Sequence, residues 1–133
     1  MHYLSAADII RINARLQQRF GTEPAIRDAV ALDYIVQSAE QEVFGVKLYR
    51  SAVELGTYYL IKITKKHCFN DANKRTALIS FVCFLMRNGY ELRPDAQITL
   101  ATEVVKIAAA DRESDELWSE VKDHVAQAIE EVR

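Results

Sequence analysis

The spacing of apolar and polar positions predicts a chain built almost entirely from helices. Apolar residues recur every three or four positions along most of the sequence, and only four glycines and two prolines interrupt its 133 residues. Six helices are predicted, over residues 5–20, 27–39, 51–66, 73–86, 98–110 and 114–132. The first and third begin with Ser5 and Ser51, residue types that favour helix starts.

Two segments depart from this amphipathic pattern. Residues 42–49 lose the helical period around Gly45 and predict a short extended flap, or simply a loop, before the third helix. Residues 77–86 are apolar on nearly all sides, with Ser80 as the interruption. A helix of that kind belongs in the centre of a bundle, so we expect the fourth helix to be the most buried. The predicted fold is therefore all-α, a compact bundle of about six helices with a flap.

Composition places the chain among ordinary soluble proteins and predicts a single domain over residues 1–133. Half of the residues are hydrophobic, and the net charge of −2 favours neither nucleic acid nor a membrane surface. The two cysteines, Cys68 and Cys83, have no metal-binding spacing, and Cys83 is expected to be a buried thiol. No secretory pattern or membrane-length apolar segment occurs, so we expect a cytoplasmic protein.

The candidate chemistry lies in nine residues, 67–75, at the start of the fourth helix. His67 is a candidate proton acceptor near neutral pH. Asp71 is either a Mg²⁺ ligand or an N-cap of the helix, and Asn73 either caps the helix or donates to a phosphate. Lys74 and Arg75 fall in the first turn, where a helix N-terminus already attracts anions.

The two cations are informative because they oppose the helix dipole and do not help this helix to form. Their position is reasonable if a polyanion arrives and neutralises them, so the motif predicts a phosphate-binding site. Phe69 is expected to anchor the loop in the core. Cys68 is not expected to act as a nucleophile, since no third group is present to orient a Cys–His pair.

This stretch resembles the Fic motif, H-x-F-x-[D/E]-G-N-[G/K]-R, and most closely its Doc (death-on-curing) branch. The positions that match the fixed residues are His67, Phe69, Asp71, Asn73 and Arg75. Ala72 stands in place of the first glycine, which the Doc branch tolerates. Lys74 stands where AMP-transferring Fic enzymes usually have glycine and Doc toxins have lysine.

The resemblance implies a toxin that acts as a protein kinase. Such an enzyme transfers the γ-phosphoryl group of ATP to a hydroxyl of a translation factor, expected to be elongation factor Tu, and halts translation. In that scheme His67 deprotonates the hydroxyl, and Asp71 holds Mg²⁺. The phosphates are bound by Asn73, Lys74 and Arg75. The flap docks the target, and an antitoxin of Phd type or similar restrains the toxin.

Three other functions compete with the kinase. One is an AMP-transferase that modifies a protein hydroxyl. Another is a non-catalytic module that only binds a nucleotide or a partner. The third is a nucleic-acid-binding helical protein, because residues 62–75 carry five cations and one acid. We do not expect direct nucleic-acid binding, since the chain as a whole is acidic.

Overall fold

The computed structural model describes all residues, 1–133, and confirms the predicted helical bundle. The six helices are α1 (Ala6–Arg19), α2 (Ala29–Ser38), α3 (Ala52–Lys66), α4 (Asn73–Arg87), α5 (Ala96–Ala109) and α6 (Asp115–Ala128). Four short strands complete the fold: β1 (Glu42–Val43), β2 (Val46–Lys47), β3 (Tyr90–Leu92) and β4 (Ile129–Glu131). No helix combines the length and the apolar composition that crossing a membrane requires.

The centre of the bundle is the pair α3 and α4, but α3 is the more enclosed of the two. Ten of the 15 residues of α3 are buried, against six of 15 in α4. The expectation that α4 is the most buried helix was wrong, because Ile79 and Met86 reach the surface. Gly56 allows the two helices to approach closely: a Cβ atom there would lie 2.6 Å from Cε1 of Phe81.

The predicted flap is a small β-hairpin. β1 and β2 pair in antiparallel fashion, with Val43 opposite Val46. The turn residues Phe44 and Gly45 both have positive φ, 51° and 76°, which suits the twist of a two-residue hairpin. The Phe44 side chain is fully exposed at the tip.

The sixth helix is shorter than predicted, because it ends at Ala128 rather than at residue 132. Residues Ile129–Glu131 instead form β4 and pair with β3, which follows α4. The backbone N–H of Val132 donates to the carbonyl of Gly89 at 2.9 Å, and that of Arg93 donates to Ala128 at 2.8 Å. The strand therefore satisfies backbone groups that β3 would otherwise present as a free edge.

The N-terminus of α1 is fastened to the end of α4 by a carboxylate. Asp8 forms a reciprocal capping box with Ser5, and Arg87 donates to both of its oxygens at 2.7 and 3.0 Å. These hydrogen bonds from Arg87 hold the pKa of the Asp8 carboxyl well below its usual range. The contact fixes α1 against α4, the helix that carries the motif.

Candidate active site

The loop between α3 and α4 is bounded by two residues in the left-handed backbone region. His67 has φ 47° and ψ 51°, and Ala72 has φ 63° and ψ 24°. Neither is glycine, so each conformation costs about 1–2 kcal/mol. Strain of this kind persists where the surrounding structure enforces it, and it concentrates at functional sites.

Phe69 and Asn73 give the loop its shape from within. The ring of Phe69 is buried in the core. The Asn73 amide bonds to both backbone groups of Phe69: Nδ2 donates to its carbonyl at 2.9 Å, and Oδ1 accepts from its N–H at 3.2 Å. The side chain of Asn73 is therefore turned back onto the loop, so it fixes the backbone that carries the other motif residues.

The segment before α2 holds the loop from one side through its backbone. The N–H groups of Arg27 and Asp28 donate to the carbonyl of Cys68 at 2.7 and 3.0 Å. In the opposite direction, the N–H of Asn70 donates to the carbonyl of Ala25 at 3.2 Å. This pairing uses main-chain groups, so side-chain patterns in the sequence do not predict it.

Asn13 of α1 holds the loop from the other side and was not predicted from the sequence. Its side chain is buried, and Nδ2 donates to the carbonyl of Asp71 and to Oγ1 of Thr76, both at 3.0 Å. Gln17 donates to Oδ1 of Asn13 at 2.8 Å. The signal available in the sequence was a polar residue between Ile9 and Leu16 on the apolar face of the first helix.

The first turn of α4 keeps its backbone donors free. Ala72 is the N-cap and supplies no side-chain acceptor. Asp71 does not cap the helix, because its Oδ1 accepts from the N–H of Ala72 at 2.7 Å, outside the helix. The N–H groups of residues 73–75 have no backbone acceptor, as is usual at a helix start. Free N–H groups at a helix start are the kind of donors that bind anions, and here no side-chain cap competes for them.

The two cations of this turn have no acidic partner within 4.0 Å. The guanidinium carbon of Arg75 lies 4.6 Å from the ring centroid of Phe20, at the end of α1. This cation–π contact orients Arg75 without neutralising its charge. Lys74 is exposed beside it.

A cavity of about 370 Å³ opens over the start of α4, and most of the candidate residues line it. Its lining consists of Phe20, Thr22, Thr64, His67, Asn70, Asp71, Ala72, Asn73, Lys74, Arg75 and Ala108. All sequence-predicted site residues except Phe69 therefore share one cavity, and Phe69 is buried as the expected loop anchor. The exposed imidazole of His67 is accessible to a substrate.

Outside residues 67–75, the lining comes from the segment that follows α1, from α3 and from α5, through Phe20, Thr22, Thr64 and Ala108. Thr64, one turn before His67, has a buried hydroxyl with no hydrogen-bond partner. Cys68 is not a lining residue. Burial raises the pKa of its thiol to about 11, which disfavours the nucleophilic thiolate at neutral pH.

The donor set fits a magnesium ion better than a softer metal. Asp71 is exposed, and no protein group donates a hydrogen bond to its Oδ2. Mg²⁺ in nucleotide sites typically takes one or two carboxylates together with phosphate oxygens and water. No cysteine lines the cavity, and its single histidine is the candidate base.

Comparison with known proteins decides which family this site belongs to. Residues 3–85, more than half of the chain, match the model of the Fic/DOC family. The chain belongs to this family. One relative, named "Protein kinase doc", from Escherichia phage P1, is 32% identical over 92 residues, 69% of this chain and 72% of the phage protein. Another, "Toxin Doc" from Mycolicibacterium smegmatis, is 28% identical over 127 residues, 95% of each chain.

The resemblance seen in the motif is thus confirmed, and both relatives place this Fic/DOC protein in the Doc branch. The left-handed backbone at Ala72 also explains the family pattern at that position, where glycine is usual. A residue with positive φ favours glycine, and this Fic/DOC chain keeps the conformation with alanine.

Proposed function

We propose that this protein is a Doc-like toxin kinase, which transfers the γ-phosphoryl group of ATP to a hydroxyl group of a target protein. The observation that carries the proposal is the cavity at the start of α4. It combines an accessible imidazole, an exposed carboxylate and two unpaired cations at a helix end with free N–H groups. Phosphoryl transfer depends mainly on positioning and on charge neutralisation, and this arrangement offers both.

The anionic nucleotide is recognised by Lys74, Arg75 and the N–H groups of the first turn of α4. Lys74 adds a charged side chain where glycine would leave bare backbone. Asn73 acts mainly by shaping the loop, because its amide is already bonded to Phe69. Asp71 would hold Mg²⁺, which would supply further charge neutralisation on the phosphates.

His67 acts as the general base. Its imidazole takes the proton from the target hydroxyl, whose oxygen forms a bond to the γ-phosphorus. The bond between that phosphorus and the bridging oxygen to the β-phosphate breaks, and ADP leaves. The strained backbone at His67 presents the imidazole at the end of α3, beside the helix terminus that binds phosphate.

The target is proposed to be a translation factor, with elongation factor Tu as the first candidate from the family. The flap is proposed to hold the target segment by adding it as a strand to the hairpin. Support comes from the hairpin itself, which has an exposed edge and an exposed Phe44 at its tip.

The experiment compares ATP labelled at the γ-phosphate with ATP labelled at the α-phosphate, each with purified elongation factor Tu and Mg²⁺. We expect label in the factor only from the γ position. The His67→Ala variant should lose the transfer, whereas His2→Ala, which removes an exposed histidine outside the cavity, should retain it.

Each other outcome excludes a specific part of the proposal. Label from the α position would make the protein an AMP-transferase. Full activity in His67→Ala would remove His67 from the role of base. No label in elongation factor Tu, with γ-label in another protein of a cell lysate, would keep the kinase and change the target.

We also propose that an antitoxin segment of Phd type binds an apolar groove between α4 and α5. Two cavities, of about 580 and 490 Å³, share Leu78, Ile79 and Ala101. One end of the groove includes the cations Lys74 and Arg75. This charge favours an amphipathic helix that carries acidic residues at that end and so blocks the phosphate site.

The groove is tested by measuring the affinity of the purified protein for a Phd-type antitoxin. Ile98 is 81% exposed in the groove, and Ile98→Asp should weaken the complex at least tenfold. Val30→Asp is the matched control, because Val30 is 80% exposed on α2 and lines neither cavity. Equal binding by both variants would place the antitoxin elsewhere.

A further inference from the structure

A second cluster of ionisable side chains joins α5 to α6, apart from the motif. Its central member is Glu103, whose side chain is only 2% exposed. Oε1 of Glu103 lies 2.5 Å from Nδ1 of His124, and Oε2 is buried without any hydrogen-bond partner. A carboxylate in the protein interior needs partners for both oxygens. The fold therefore leaves one carboxylate oxygen unsatisfied in the contact between the two helices.

Two possible ligands near the Glu103 carboxylate come from α6. Glu120 and His124 are one helical turn apart, so their side chains lie on the same face. One ligand atom from each of Glu103, Glu120 and His124 can be chosen so that all three lie within 4.8 Å of one another. Ligands around a metal at about 2.1 Å lie at most about 4.2 Å apart. The side chain of Glu120 is exposed, so it can rotate to bring its carboxylate within this shorter distance of the other two ligands.

Lys106 already neutralises part of the negative charge of the two glutamates. Nζ of Lys106 is 3.4 Å from Oε1 of Glu120 and 3.9 Å from Oε1 of Glu103. Its side chain is more than half exposed, and so is much of Glu120, so the ion pair between these two residues contributes little to stability. Lys106 also leaves Oε2 of Glu103 without a hydrogen bond. A divalent cation could displace the lysine and satisfy the buried carboxylate.

We propose that Glu103, Glu120 and His124 bind a divalent transition-metal ion that fastens α5 to α6. One imidazole and two carboxylates suit Zn²⁺ or Co²⁺, whereas Mg²⁺ and Ca²⁺ prefer oxygen ligands alone. This site shares no residue with the cavity at α4. It is therefore independent of the proposed kinase activity. Its connection to that cavity is structural, because α5 also carries the lining residue Ala108.

The test is a titration of the purified full-length chain with Co²⁺, without nucleotide, followed by calorimetry and by visible absorption of the ion. We expect one ion per chain, and a Tm that rises by roughly 5–10 °C at a hundredfold excess over the dissociation constant. His124→Ala removes a ligand and should weaken binding about a hundredfold. Glu120→Gln, an exposed change, should also weaken it.

One control variant removes a group outside the proposed ligand set. His2→Ala, which deletes an exposed histidine, should bind Co²⁺ like the wild type. Lys106→Ala should tighten binding severalfold, because a competing cation is lost. Equal affinity in the wild type and in His124→Ala would overturn the proposal, as would the absence of saturable binding below about 1 mM. The cluster would then be an ion-pair network and nothing more.

Discussion

Replacement of Asn13 by alanine tests whether a residue of α1 shapes the motif loop. The side chain makes three hydrogen bonds, to the Asp71 carbonyl, to Thr76 and to Gln17, at 2.8–3.0 Å. The change leaves Thr76 and Gln17 with unpaired polar groups, and both residues are almost completely buried.

The expected loss of stability follows from these contacts. Each hydrogen bond contributes about 1 kcal/mol net, and an unpaired buried group costs about 1–3 kcal/mol. The Asp71 carbonyl belongs to an exposed loop residue and can recover a bond from water. Alanine is also the better helix former, by about 0.5 kcal/mol. The free energy of unfolding should therefore fall by about 2–4 kcal/mol in Asn13→Ala.

Urea unfolding measures this change, with Gln18→Ala as the matched control. Gln18 is an exposed amide in the same helix, so its loss should change the free energy of unfolding by no more than about 0.5 kcal/mol. At a temperature where Asn13→Ala is fully folded, phosphoryl transfer should also fall at least tenfold, because the loop is misplaced. Equal stability of the two variants, with normal transfer, would refute the positioning role.

Two further substitutions and one chemical modification test the local structure. Asp8→Asn should lower stability at pH 7 by about 1 kcal/mol and flatten its acid dependence in urea unfolding from pH 2 to 7. Since Arg87 depresses the folded-state pKa of Asp8, the stabilisation is present above an unfolded pKa of about 3.9 and is lost as the pH falls below it; equal slopes in the two proteins would contradict the assignment. Ala72→Gly should stabilise the protein by about 0.5 kcal/mol in the same assay. The reason is that relief of the left-handed strain exceeds the extra conformational entropy that glycine gives the unfolded chain. As a control, glycine in place of an exposed alanine within a helix should destabilise the protein by about 1 kcal/mol. Native protein at pH 8 should resist alkylation of Cys68 by iodoacetamide, as read by peptide mass spectrometry, while half-buried Cys83 reacts first and urea exposes both; rapid modification of Cys68 would contradict its burial and raised pKa.

The helices and the motif loop were predictable because their information is local. Apolar spacing and the serines at positions 5, 51 and 114 mark helix starts, and the structure has caps at all three. The candidate site residues are contiguous between 67 and 75, so any fold that keeps the loop brings them together. The expectation of Cys83 as a buried thiol was wrong in degree, because Cys83 is half-buried and Cys68 is the deeply buried one.

The features that were missed depend on packing between distant segments. Val121, Val125 and Ile129 continue a helical spacing, so the sequence favours helix where the chain in fact turns at Ile129 to pair with β3. The contacts of Asn13 with the loop and of Phe20 with Arg75 require a known docking of α1 on α4. The burial of Glu103 depends in the same way on how α5 faces α6.

Three unfavourable local features of this chain meet at the motif. Four helices begin with a side-chain cap, at Ser5, Asp28, Ser51 and Ser114, whereas α4 at Ala72 and α5 at Asp95 begin without one. Only α4 adds two left-handed non-glycine residues, His67 and Ala72, in the loop that leads to it. A missing cap costs about 1 kcal/mol, and the two left-handed residues cost about 1–2 kcal/mol each. This total is a large fraction of the 5–15 kcal/mol that usually stabilises a domain. The capping serines of this chain, Ser5, Ser51 and Ser114, all have extended backbone. The left-handed backbone at Ala72 does not suit a capping side chain, so the N–H groups stay free for the proposed phosphate ligand. The same features that weaken the start of α4 therefore leave it open to bind an anion, which is why the polyanionic substrate offers a better account of this loop than a purely structural role.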